Sequence, residues 1–302
     1  QPRVLVLLEA FVAHTDSRFD ADLLHAFMAG YQAQEPLTLS ELWALPAILR
    51  YLMLENLRRL GARIAVSHQG REAADDYADR MLNLHVEAER ERPGIPPGLG
   101  NGDIPPAFTA RLVQRLQYGV DDATQIPTWL VNRLAAQGTD YAREVEHEYK
   151  SQVAANQTVR NAFVSLNHLS TFDWPRFVER HSVVNEVLAR HPAYLAMDFE
   201  TRDSYRSAIQ DLAWRSGRTE SATAALVIDL AQTAKDRTGG DARRSDPGHM
   251  LIGEGRADFE AQLGMVSPWW RRTLRAARPL AVTIYLAALT LLTLLCLMPA
   301  VL

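Results

Sequence analysis

The sequence predicts an all-α protein: a multi-helix region followed by one transmembrane helix. Three observations carry that expectation. The long segments repeat apolar residues every three or four positions, and none alternates with the period of a strand. Helix-start signals stand ahead of several of these stripes. The run from Pro279 to Leu302 holds no charged residue and is long enough for a helix to cross about 30 Å of hydrocarbon.

Leu23, Leu24, Phe27, Met28 and Tyr31 form the first clear stripe, behind Asp20 and Asp22. Thr38-Leu39-Ser40-Glu41 has the pattern of a capping box, with Thr38 as cap and Glu41 reaching back. The helix it opens runs through Trp43, Leu49, Leu52 and Leu57, with a kink or split expected at Pro46 and a stop at Gly61. A third helix is expected over Arg71–Glu91, ended by Pro93 to Gly102. Further helices are expected around 107–118, 127–137 and 139–168. Asp173 is expected to cap a helix through Ala189, with Pro175 in its first turn. Asp198 is expected to cap another through Arg215, ended at Ser216-Gly217, and a last one spans about 220–235. The implied division is a helical subdomain over 1–92, a Pro/Gly-rich loop over 93–106, a second helical subdomain over 107–235, a linker and short helix over 236–268, and the transmembrane helix over 279–302. Gln1 at the start and an apolar run at the end read as truncations of a longer protein.

A net charge of −4 and a pI near 6.2 argue against a nucleic-acid partner. The single cysteine, Cys296, excludes a disulfide framework or a thiolate metal cluster. Trp269, Trp270, Arg271, Arg272, Arg275 and Arg278 precede the apolar run and form a membrane-interface belt. Tryptophan favours the interface and arginine the cytoplasmic side, so residues before about 270 are expected to face the cytoplasm, with the lipid bilayer as a partner.

No active site is legible. Asp20-Ala21-Asp22 has the Asp-x-Asp form by which glycosyltransferases hold a metal and a nucleotide sugar, but it opens a helix, where acidic residues suit the helix dipole. Glu144-Val145-Glu146-His147 contains one Glu-x-x-His, whereas a di-iron bundle needs two. The nine histidines are scattered. Asp75-Asp76 and Asp121-Asp122 are adjacent pairs whose side chains diverge by about 100° on a helix, a poor acid/base couple. No catalytic, cofactor-binding or metal residue is assigned.

Four phrases carry a resemblance. Residues 37–60 hold L-T-L-S-E-L-W-A-L-P followed by E-N-L-R-R-L. Leu169-Ser170 to Trp174 lead to Phe177-Val178-Glu179 and Val187-Leu188. Residues 196–206 read A-M-D-F-E-T-R-D-S-Y-R, and 246–252 read D-P-G-H-M-L-I. Together, in this order and ahead of a membrane span, they resemble the start of cyclic β-1,2-glucan synthases, with His249 and Met250 where that family has aromatics. Residues 62–165 carry little of the likeness. The resemblance implies a large bacterial inner-membrane enzyme with a processive transferase using UDP-glucose and a divalent metal, a cyclising domain and a phosphorylase-like domain. The transferase's metal-binding aspartates have no matching positions here, so no cofactor is expected in this region and no catalytic residue is carried over. The matched Asp198, Thr201, Arg202, Tyr205 and Arg206 read as capping and packing residues, with a docking surface for the downstream glycosyltransferase module as the alternative. The expected role is a non-catalytic scaffold and membrane anchor. The rivals are a membrane-tethered regulatory or homo-oligomerising module and a self-contained carbohydrate-active enzyme.

Overall fold

The computed structural model describes residues 2–86, 102–117, 126–237 and 245–265, together with 285–286 and 289–290. Within them every regular element is helical: α1 (Arg3–His14), α2 (Ala21–Gln32), α3 (Leu39–Val86), α4 (Pro106–Gln117), α5 (Thr128–Ala136), α6 (Tyr141–Thr171), α7 (Trp174–His181), α8 (Val183–Leu188), α9 (Pro192–Leu195), α10 (Phe199–Ser216), α11 (Glu220–Arg237), α12 (Pro247–Leu251) and α13 (Arg256–Gln262). Among the described residues no helix is long and apolar enough to cross a membrane. Of the 279–302 run only 285–286 and 289–290 are described, both helical. The six belt residues, Trp269 to Arg278, lie outside the described residues.

The helix starts follow local chemistry. Asp20, Asp140 and Asp198 each accept the backbone N–H three residues on, at 3.1, 2.9 and 2.8 Å. The capping box closes both ways: Glu41 Oε2 accepts Thr38 N–H at 2.8 Å, and Thr38 Oγ1 accepts Glu41 N–H at 3.3 Å. Gly217 ends α10 at φ 70°, a left-handed position that glycine occupies without a Cβ penalty.

Three boundaries differ from the sequence expectation. The helix that begins at Leu39 neither splits at Pro46 nor stops at Gly61, and it runs on to Val86 as one element. Leu42, Leu45, Leu49 and Met53 are fully buried on both sides of Pro46. Burying four such side chains outweighs the roughly 3 kcal/mol that an interior proline costs. At Gly61 the penalty is only about 1 kcal/mol, too little to end a helix flanked by good helix formers. Conversely, the helix expected from Asp173 to Ala189 is two helices. Ser182, buried, leaves helical geometry and accepts Asn185 N–H at 3.1 Å, opening α8.

The chain forms two compact units, residues 1–35 with 43–174 and residues 36–42 with 175–302. In the first unit α4 packs on α6 and shares a core with the end of α3. Tyr77, Phe108, Leu112, Leu116, Leu130 and Leu134 close that apolar core, with Trp129 at its edge. Its polar exception is a bond of 2.7 Å from Trp129 Nε1 to the Tyr77 hydroxyl. The turn between α1 and α2 holds Asp16 and Ser17 at φ 48° and 60°. Side chains of α3 and α6 hold that costly backbone in place. Asn56 donates to Ser17 Oγ at 2.8 Å, Asn161 to Asp16 O at 3.0 Å, and Ser165 to Ser17 O at 2.8 Å. In the second unit α11 packs on α8, α10 and α12. Small residues at helical spacing, Ala224, Val227 and Ala231, let it approach closely.

Candidate functional site

The second unit is organised around a buried guanidinium. Arg206 on α10 is 1% exposed, and a charge this deep must be paired to be tolerated. Its Nη1 lies 2.7 Å from Glu179 Oε1 on α7, and its Nη2 lies 3.1 Å from Asp203 Oδ1. Nη1 also reaches Asn185 Oδ1 and the Tyr194 hydroxyl, each at 3.3 Å. Tyr194 in turn donates to Asn185 Oδ1 at 2.7 Å. Arg202 grips the same glutamate with both ends of its fork, at 2.9 and 3.2 Å. Burial alone would raise the Glu179 pKa, but the hydrogen bonds from Arg206 and Arg202 overcome it and hold the carboxyl below its ordinary range. A carboxylate pinned in its charged form by two arginines has no proton to give near neutral pH.

The phrase around 198–206 is locked to the one around 246–252. Tyr205, 4% exposed, donates to Asp246 Oδ1 at 2.8 Å, and the same oxygen accepts Gly248 N–H at 2.6 Å as the cap of α12. Pro247 fills the first position of that helix, where no N–H is needed. A Cβ at Gly248 would collide with the Tyr205 hydroxyl, so the glycine is required by close approach. Burial and then the neighbouring Asp246 carboxylate raise the Tyr205 pKa. A second alternation of charge braces α10 and α13: Arg215 and Arg256 both contact Asp211 and the buried Glu260, at 2.6 to 3.3 Å.

The five residues proposed as capping or docking groups therefore have distinct places. Asp198 caps α10, Thr201 supplies the N–H it accepts, and Arg202, Tyr205 and Arg206 bond inside the unit. Asp20 caps α2 and accepts Leu23 N–H. Asp75 is paired with Arg111 at 2.8 Å, His147 is exposed, and Glu144 accepts a hydrogen bond from the Thr139 hydroxyl at 2.7 Å. Asp121 and Asp122 lie outside the described residues. Among the described residues no three His, Cys, Asp or Glu side chains group as metal ligands.

The first unit contains what the sequence reading passed over. A groove of about 640 Å³ opens between α3, α4 and α6. At its base, Glu148 Oε1 on α6 accepts from Ser67 and Gln152 at 2.8 Å each and from Arg71 at 3.3 Å. Tyr149, 70% exposed, stands at the lining. Glu148 lies one residue past the Glu-x-x-His that drew attention, and nothing in its local pattern marks it as buried.

An all-helical module braced by buried ion pairs is the class that fold and site define. No family model matches the chain. Its sequence is 31% identical over 284 residues to the cyclic beta-(1,2)-glucan synthase NdvB of Rhizobium meliloti (strain 1021), covering 92% of this chain and 10% of that protein. The chain shares a family relationship with that synthase, and it spans about a tenth of the relative's length.

Proposed function

We propose that this chain is the non-catalytic helical scaffold and membrane anchor of a cyclic β-1,2-glucan synthase-like enzyme of a bacterial inner membrane. Residues before about 270 face the cytoplasm, and the Trp/Arg belt and the 279–302 run meet the bilayer. The polymerising chemistry, with UDP-glucose and a divalent metal, belongs to a downstream glycosyltransferase module that docks on this region. The observation that carries the reading is where the family-like phrases spend their polar groups. Arg206 and Arg202 bond to Glu179, and Tyr205 bonds to Asp246, so these polar groups are spent inside the unit. Residues used this way fix a shape.

The test is turnover. Purified chain given UDP-glucose and manganese is expected to release no UDP, and release would overturn the scaffold reading. In a full-length synthase, R206M is expected to lower the amount of folded enzyme and leave turnover per folded molecule unchanged. For the anchor, removal of residues 269–302 is expected to free the chain from sedimenting membranes. A second reading, a module that gathers copies of the synthase, is favoured by Val153, Phe163 and Val164, all about half exposed or more on α6. A sedimentation-velocity mass of one chain in detergent would exclude it.

A further inference from the structure

We propose that the groove between α3, α4 and α6 binds a neutral, hydroxyl-rich ligand, a linear β-1,2-linked gluco-oligosaccharide. The linkage rests on the scaffold reading above, and the ligand class rests on the groove. Its volume of about 640 Å³ falls within the range of small-molecule sites.

The charges at the groove select against ions of either sign. Glu148 Oε1 is saturated by Ser67, Arg71 and Gln152. Its Oε2 receives no hydrogen bond from the described residues and is not sealed from solvent. That open anionic oxygen repels a phosphate. Arg71 and Arg111 are already neutralised by Glu148 and Asp75, which leaves Arg63 as the lining cation with no ion partner among the described residues. A diphosphate needs several uncommitted donors of positive charge. A cationic ligand meets the charge of Arg63, which no carboxylate offsets among the described residues.

What remains suits hydroxyl groups, which both donate and accept. Glu148 Oε2 accepts and Arg63 donates. Gln117, Ser151 and Asn156 line the groove without a hydrogen bond to the described residues, and their side chains do both. Leu60, Ile64 and Val145 offer an apolar wall for the C–H faces of a pyranose ring. Tyr149 is exposed beside them, where a ring can stack on its face. An all-apolar ligand would strip water from Glu148 and Arg63 without replacing its hydrogen bonds.

The experiment is calorimetric titration of the 302-residue chain in detergent with a linear β-1,2-linked gluco-oligosaccharide, with UDP-glucose as a second titrant. Saturable oligosaccharide binding is expected. Y149A changes an exposed side chain, so it should leave the helical circular dichroism intact while weakening binding about fivefold. E148Q, which removes the anionic acceptor, should weaken it about tenfold or more. R63Q should matter less than either. Absence of oligosaccharide binding, or binding undiminished by both Y149A and E148Q, overturns the proposal. So does binding that is lost in R63Q and strengthened in E148Q, which marks an anion. A chain that ignores the oligosaccharide yet releases no UDP removes the groove proposal alone, whereas release of UDP removes the scaffold reading.

Discussion

The core of the first unit and the centre of the second solve the same problem with different chemistry. Around Tyr77, Phe108 and Leu112 the interior is hydrocarbon, and what it requires is volume and shape. Around Arg206 the interior is a charge network, and changing a member removes a buried hydrogen bond or ion pair from its neighbours. This difference explains which parts of the chain look familiar. The described part of the 62–165 stretch, where the family-like phrases are missing, contributes the apolar core and most of the groove lining, and apolar positions accept substitutes of similar size. The phrases around 179, 198–206 and 246–248 supply the network, whose geometry admits no substitute fork or carboxylate.

The comparison can be broken most directly at its centre. R206M is expected to destabilise the second unit by about 3 kcal/mol, because Glu179 keeps Arg202 but loses its buried donor, and Asn185 Oδ1 and the Tyr194 hydroxyl each lose a charged one. Urea denaturation followed by circular dichroism measures it, and a loss below about 1 kcal/mol would mean that the network is ornamental. Next comes G248A. The added methyl forces Tyr205 away from Asp246, with an expected cost of about 1 to 3 kcal/mol and loss of the hydrogen bond to the Tyr205 hydroxyl. The same denaturation curve reads the cost, and a near-neutral result would show that Tyr205 has room to move.

The matching change in the apolar core, L112M, should cost less than about 1.5 kcal/mol, since volume is nearly kept. If it costs as much as R206M, the contrast between the units fails.

Acid sharpens the contrast in the same direction. A carboxyl held below its ordinary value of 4.5, as Glu179 is, contributes stability above that value. The contribution is lost as the pH falls through the depressed value. Acid titration should therefore weaken the second unit of the native chain, and E179Q should flatten that dependence.

The smallest effect is expected at Glu220, whose burial raises its pKa while its Oε2 caps α3 through Leu39 N–H at 2.9 Å. The nearby Glu41 charge raises it further. Here the sign reverses. The contribution is full below 4.5 and is lost as the pH rises through the raised value. E220Q keeps an acceptor for Leu39 and removes the charge. It should gain no more than about 1 kcal/mol at pH 7 and nothing below pH 4.5.

Much of the local structure was legible because its causes are local. Asp20, Thr38 with Glu41, and Asp198 announce helix starts through bonds spanning three residues, and Gly217 ends a helix by its own backbone freedom. The same proximity misled at Pro46 and Gly61. Both are real local penalties, but the burial of Leu42, Leu45, Leu49 and Met53 is larger and is set by distant chain. Ser182 shows the converse, a cap that the stripe through Val183 and Val184 concealed.

By itself the sequence determined the helical class, most helix starts, and four family-like phrases whose relationship the 31% identity to a glucan synthase supports. Tertiary structure alone decided that Arg206 and Glu179 meet, that Tyr205 and Asp246 share a hydrogen bond, and that Glu148 sits at the base of a groove. The physical reason is range. Caps and stripes are written within one or two turns of helix. Burial, charge pairing and concavity depend on residues tens of positions apart, and no local pattern encodes which of them will be neighbours.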